Sequence, residues 1–157
     1  MSVSIGIDPG KDTGIAVYCR VTKQLIHLTT TTFCGAYGYI LNNYPDPDKV
    51  HKLVVEVPNT KHAWILDSRL KRLLYQDKAK FISGIKIALK ISHDVGRVCR
   101  ESELLSELLE LAGYNVIRQH STGDGKKLNR AQFKAITGWP LMTNPHTRDA
   151  GMMAWRL

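Results

Sequence analysis

Cysteine is scarce in this chain and scattered. The three present, Cys19, Cys34 and Cys99, form no Cys-x-x-Cys pair and have no histidine at zinc-finger spacing. Reduced thiols are expected, with neither a disulfide framework nor a zinc site. Long apolar runs are missing too: none approaches the roughly 20 residues that span a bilayer. The N-terminus lacks the basic-then-apolar layout of a secretory signal. A soluble, cytoplasmic protein is therefore expected. No repeat and no Pro/Gly/Ser-rich linker divides the 157 residues, which suits a single domain over 1–157 with length enough for a core. Negative charge is the last shortage. Asp and Glu number 14 against 22 Lys and Arg, a formal net charge of +8. Such an excess favours polyanionic partners, DNA or RNA before an anionic membrane.

With acids so few, those that interrupt apolar strands stand out. Val3 to Ile7 and Ile15 to Tyr18 are β-branched runs joined by a turn rich in Asp, Pro and Gly, which predicts a hairpin. Asp8 ends the first run, and Pro9-Gly10 fixes it there. An isolated buried charge costs several kcal/mol, so Asp8 is either a turn aspartate with a hydrogen-bond partner or a metal ligand. Glu56 poses the same problem inside Leu53-Val54-Val55-Glu56-Val57, a run bounded by breakers that predicts a strand buried on both faces. If the two strands are neighbours, their carboxylates suit a divalent cation.

Between and beyond them the pattern predicts a third strand over 24–33, a short helix over 36–44, and a tight loop at Pro45 to Asp48 with no EF-hand spacing. Leu104, Leu105, Leu108, Leu109 and Ala112 recur at helical spacing in a helix from Val98 stopped by Gly113. A fifth strand over 114–118 and an amphipathic helix over 129–137 follow. The loop from Ser121 to Lys127 carries Gly125-Lys126 but lacks the upstream glycine of a phosphate-binding P-loop. From Lys61 to Arg100 the chain is strongly basic, with Trp64 and Tyr75 interleaved. That stretch is either a solvated helix face or a cationic path for a phosphate backbone. The last helix is expected to open at Asn144 as N-cap and Pro145 as first residue, with His146 and Asp149 on one face of its first turn. Asp149 is there either a capping residue or, with His146, an addition to the acidic set.

Three motifs in order, Gly6-Ile7-Asp8-Pro9-Gly10 with Thr13-Gly14, the strand carrying Glu56, and His146-Thr147-Arg148-Asp149-Ala150, resemble the RuvC-like Holliday-junction resolvases of the RNase H-like nuclease superfamily. The resemblance implies an α/β RNase H-like fold: a mixed five-stranded sheet, the first three strands antiparallel, helices on both faces. It implies that Asp8, Glu56 and Asp149 are catalytic, metal-binding carboxylates for Mg²⁺, with Mn²⁺ able to substitute. His146 matches a position filled by His or Asp in the family and joins them as ligand or helper base. Lys61, Trp64, Arg69, Lys71, Arg72, Lys126 and Lys127 are the expected DNA contacts. The chain departs from the family after Glu56, where it is longer and more basic, as in a small phage-type member with looser structure selectivity.

The expected function is a Mg²⁺-dependent, structure-selective DNA endonuclease acting on branched DNA, above all four-way junctions. Paired nicks across a junction call for a homodimer. Two alternatives stand beside it: an RNase H-like nuclease acting on RNA or flaps, and a catalytically silent nucleic-acid-binding domain.

Overall fold

In the computed structural model, residues 2–58, 78–120 and 127–155 are described. The hairpin forms as its composition demands. Strand β1 (Val3–Asp8) pairs antiparallel with β2 (Thr13–Cys19), and β2 pairs antiparallel with β3 (Gln24–Thr31). The third strand stops two residues earlier than its β-favouring composition suggests. Thr32 leaves the ladder to cap helix α1 (Phe33–Asn43), its hydroxyl accepting from the Gly35 N–H at 3.1 Å. Pro45 to Asp48 is also more ordered than a loop: Asp46 caps a single 3₁₀ turn, Pro47–Lys49.

Strand β4 (Val50–Val57) then runs parallel to β1 on its other side. Helix α2 (Lys78–Leu111) has 34 residues, far longer than the leucine-rich stretch that betrays it. It leads into β5 (Val116–His120), parallel to β4. Tyr114 is not a strand residue. It is buried, and its hydroxyl donates to the Tyr44 carbonyl at 2.6 Å, tying the start of β5 to the end of α1. Helix α3 (Arg130–Thr137) is capped by a reciprocal Asn129–Gln132 box, and helix α4 (Pro145–Trp155) completes the described chain. The sheet order is β3-β2-β1-β4-β5, an RNase H-like topology.

Because side chains alternate along a strand, the sheet divides its residues between two cores. Val3, Ile5, Ile7, Ile15, Val17, Leu53 and Val55 face α1 and the C-terminal part of α2, meeting Ala36, Ile40, Leu105 and Leu109. Ala16 and Val54 face the other way, against Phe133 of α3 and Ala150, Met153 and Ala154 of α4. Helices thus cover both faces, as expected. The N-terminal part of α2 is different. Ile82, Ile87, Leu89 and Val95 are exposed there, among exposed Lys86 and Lys90. No helix of the described residues is long and apolar enough to cross a membrane.

Candidate active site

The alternation that sorts the cores also aims the carboxylates. Gly6 lies opposite Val54 in the β1–β4 register. Two residues further along each strand, Asp8 and Glu56 therefore point to the same face, the one covered by α4. Glu56 in turn lies beside Gln119 of β5.

Helix α4 approaches this face unusually closely, and two glycines make room for it. A Cβ on Gly6 would lie 2.2 Å from the Ala150 carbonyl oxygen, and one on Gly14 would lie 2.4 Å from the His146 carbonyl oxygen. Any other residue at either position would drive the helix outward. The glycines flanking Asp8 in the first motif are there for backbone contact with the third motif. Asn144 sets the helix end: its Oδ1 accepts from the Thr147 N–H at 2.9 Å, while its Nδ2 donates to Thr30 Oγ1 on β3 at 2.7 Å. Asn144 is thus the N-cap, as expected. The capping alternative for Asp149 is overturned, because that residue falls in the second helical turn and no acidic residue occupies the first.

So seated, α4 brings His146 to Asp8, with Nδ1 and Oδ2 2.8 Å apart. Asp8 is only 7% exposed, and His146 answers the question of its partner. Burial still outweighs that hydrogen bond and holds the Asp8 carboxyl above its ordinary range. Asp149 is held from another side, by Lys127, whose Nζ lies 2.6 Å from Oδ2. That bond lifts the Lys127 ammonium above the usual lysine range. Glu56 is pushed up to about 7, first by burial and then by the charges of Asp8 and Asp149. Three carboxylates distant in sequence therefore share one electrostatic field. No protein-family model matches the chain, and no curated protein matches it either.

One residue that the sequence reading passed over organises the surroundings. Arg148 Nε donates to the Leu128 carbonyl at 2.7 Å, and its Nη1 donates to the Thr143 carbonyl at 3.2 Å. A single guanidinium thus fastens α4 to the segments entering and leaving α3, and Lys127 is the neighbour of Leu128. An arginine lying between His146 and Asp149 in the third motif was the available signal. Of the expected DNA contacts, Lys127 stands at the site. Lys61, Trp64, Arg69, Lys71, Arg72 and Lys126 lie outside the described residues.

The donor set fits a hard divalent cation in kind. Carboxylate oxygens suit Mg²⁺; burial first, and then the charges of Asp8 and Asp149, raise the Glu56 carboxyl, and the second of these is a repulsion that a cation relieves. Among the described residues, however, no group of three or more His, Cys, Asp or Glu side chains is gathered closely enough to hold an ion. Asp8 and Asp149 are engaged instead with His146 and Lys127.

Proposed function

We propose that this protein is a Mg²⁺-dependent, structure-selective DNA endonuclease of the RuvC-like resolvase type, working as a cytoplasmic homodimer on four-way junctions. The observation that carries the reading is the shared field of Asp8, Glu56 and Asp149, expressed in the elevation of Glu56 to about 7 by burial and by the two aspartates. Carboxylates perturbed by burial and by one another's charge cluster at functional sites. The RNase H-like topology and the net charge of +8 support the same reading.

Asp8, Glu56 and Asp149 are the carboxylates that would hold the metal once Asp149 is freed from Lys127. When bound, Mg²⁺ or Mn²⁺ supplies Lewis acidity that makes water nucleophilic at neutral pH and stabilises the departing alkoxide. His146 orients the Asp8 carboxylate through Nδ1. Lys127 offers a cation to the non-bridging oxygens of the phosphate. The rim of the site is partly open, with the Lys127 side chain 67% exposed and so within reach of a DNA backbone.

The test is to offer the purified protein four-way, flap, linear duplex and RNA–DNA hybrid substrates, with Mg²⁺ or with EDTA, and to map the cuts. Symmetric paired nicks on the four-way substrate, abolished by EDTA, are expected. Cutting confined to the hybrid or the flap would replace the substrate assignment. Binding without cutting in Mg²⁺ or Mn²⁺ would overturn the enzyme assignment.

A further inference from the structure

We infer that Lys127 is a phosphate-operated latch on the metal site: it occupies Asp149 until a nucleic-acid phosphate draws it away. The inference rests on the nuclease reading above and extends it to how the site is loaded. Its geometry is independent of that reading. Lys127 Nζ lies 2.6 Å from Asp149 Oδ2, close enough for a full charge-assisted hydrogen bond. The ammonium sits on an oxygen that a divalent ion would need. It is a poor permanent partner, because the Lys127 side chain is 67% exposed while that of Asp149 is 21% exposed. The exposed member can leave without abandoning a buried charge of its own.

What it cannot do is go far. Arg148 Nε holds the Leu128 carbonyl at 2.7 Å, and Arg148 lies next to Asp149 in α4. The backbone of Lys127 is thereby leashed to the helix that carries its partner. On release from Asp149 the flexible four-carbon stem takes up the swing, and the anchored carbonyl of the adjacent Leu128 keeps the ammonium near the rim of the site. A phosphate arriving there offers it a second anion. Lysine is a point charge with rotatable donors and no fixed fork, which suits an exchange between two anions.

A linked equilibrium follows. Metal and ammonium compete for Asp149, and phosphate and Asp149 compete for the ammonium. Phosphate binding must therefore tighten metal binding, and metal binding must tighten phosphate binding by the same factor. In free protein the latch holds metal affinity down, so the nuclease is armed by its substrate.

The experiment reads metal binding directly, without catalysis. Mn²⁺ affinity of the full chain is measured in the cold by electron paramagnetic resonance, free and with a four-way junction whose strands are shown uncut on a gel afterwards, for wild type, Lys127→Met, Lys127→Arg and Lys11→Met. Lys11 is an exposed cation in the β1–β2 turn and controls for loss of charge alone. The wild type should bind Mn²⁺ roughly tenfold tighter with the junction than without, within the usual range for coupled sites. Lys127→Met should bind tightly without DNA and gain little from it. Lys127→Arg should keep most of the coupling, and Lys11→Met should keep all of it. Equal Mn²⁺ affinity for free wild type and free Lys127→Met would overturn the latch, as would equal gains in Lys127→Met and Lys11→Met. Mg²⁺-dependent cleavage of the unmodified junction, assayed alongside, keeps the two readings apart. Cleavage with unaltered Mn²⁺ affinity in Lys127→Met defeats the latch and leaves the nuclease standing, whereas no Mn²⁺ binding in any variant defeats both.

Discussion

Asp8 carries two burdens, a buried position and a shared field, and a neutral isostere separates them. Asp8→Asn keeps the shape and the contact with His146 but removes one charge. Cleavage should fall at least about 100-fold, the scale seen when a key electrostatic group is lost, while folding and junction binding persist. Side-by-side gel-shift and cleavage assays at one salt concentration check it. Near-wild-type cutting would reduce Asp8 to a turn residue. Glu56 gives the pH signature. Its carboxyl is raised from 4.5 to about 7 in the fold, and the Asp8 shift has the same sign. The folded protein therefore binds protons more tightly than the unfolded chain across that interval. Stability of the metal-free protein should fall as pH rises from about 4.5 to 7 and then level off. Thermal melts in EDTA measure this, and Glu56→Gln should flatten the slope. At this scale the sequence was informative because charged residues are rare in apolar strands. It named Asp8 and Glu56, but not the partners that hold them. Neither the His146–Asp8 contact nor the Lys127–Asp149 contact is local, and no spacing rule reports a pair 138 or 22 residues apart.

Element boundaries follow from competitions that composition does not decide. The run Thr29 to Thr32 favours strand throughout, yet Thr32 gains more as a cap for α1. The N-terminal part of α2 lacks the leucine periodicity of its C-terminal part, so only the latter was legible as helix. For α4 the cap was legible in Asn144-Pro145, but its depth was not. That depth depends on Gly6 and Gly14, whose meaning emerges only when a second backbone lies against them. Gly6→Ala should destabilise the protein by about 3 kcal/mol, the upper part of the usual overpacking range, and should reduce cleavage further by displacing Asp149. Gly38→Ala makes the contrast. Gly38 lies in α1 with nothing within 4 Å of a new Cβ, so the change should add about 1 kcal/mol through helix propensity. Urea unfolding of both variants tests the pair. Equal effects would mean that the close approach of α4 to β1 carries no energetic weight.

At the scale of the whole molecule, the mixed sheet and its three antiparallel leading strands were legible, because parallel and antiparallel connections leave different signatures, whereas the adjacency of β1 and β4 stood only as a condition that the sheet order now meets. Tight turns joined the first three strands, and a long helical connection joined β4 to β5. Charge distribution makes a prediction here. Lys86 and Lys90 are exposed, four residues apart on α2, a helix about 50 Å long at roughly 1.5 Å per residue. If this arm lies along a DNA backbone, replacing both with alanine should make the slope of log affinity against log salt shallower by about two, near one per phosphate contact. An unchanged slope would assign them to a solvated face. Exposed Ile82 and Leu89, seven residues apart and so on one face of the arm, offer a second copy of the chain an apolar strip, and sedimentation should find a dimer.

The two notches in the sheet have a mechanical meaning. With Gly6 and Gly14 receiving the carbonyls of Ala150 and His146, α4 is keyed to the sheet like a shaft in a keyway. It cannot slide by a turn or roll by a residue without driving carbonyl oxygens into neighbouring side chains. The tolerance of the reactive centre is then set by main chain against main chain, and not by side chains that drift among rotamers. Such a joint does not loosen by degrees. On heating, the proposed nuclease activity should stay near full until the helix leaves its seat, and should then vanish together with the fold. An activity melt and a circular-dichroism melt of the same sample should superimpose.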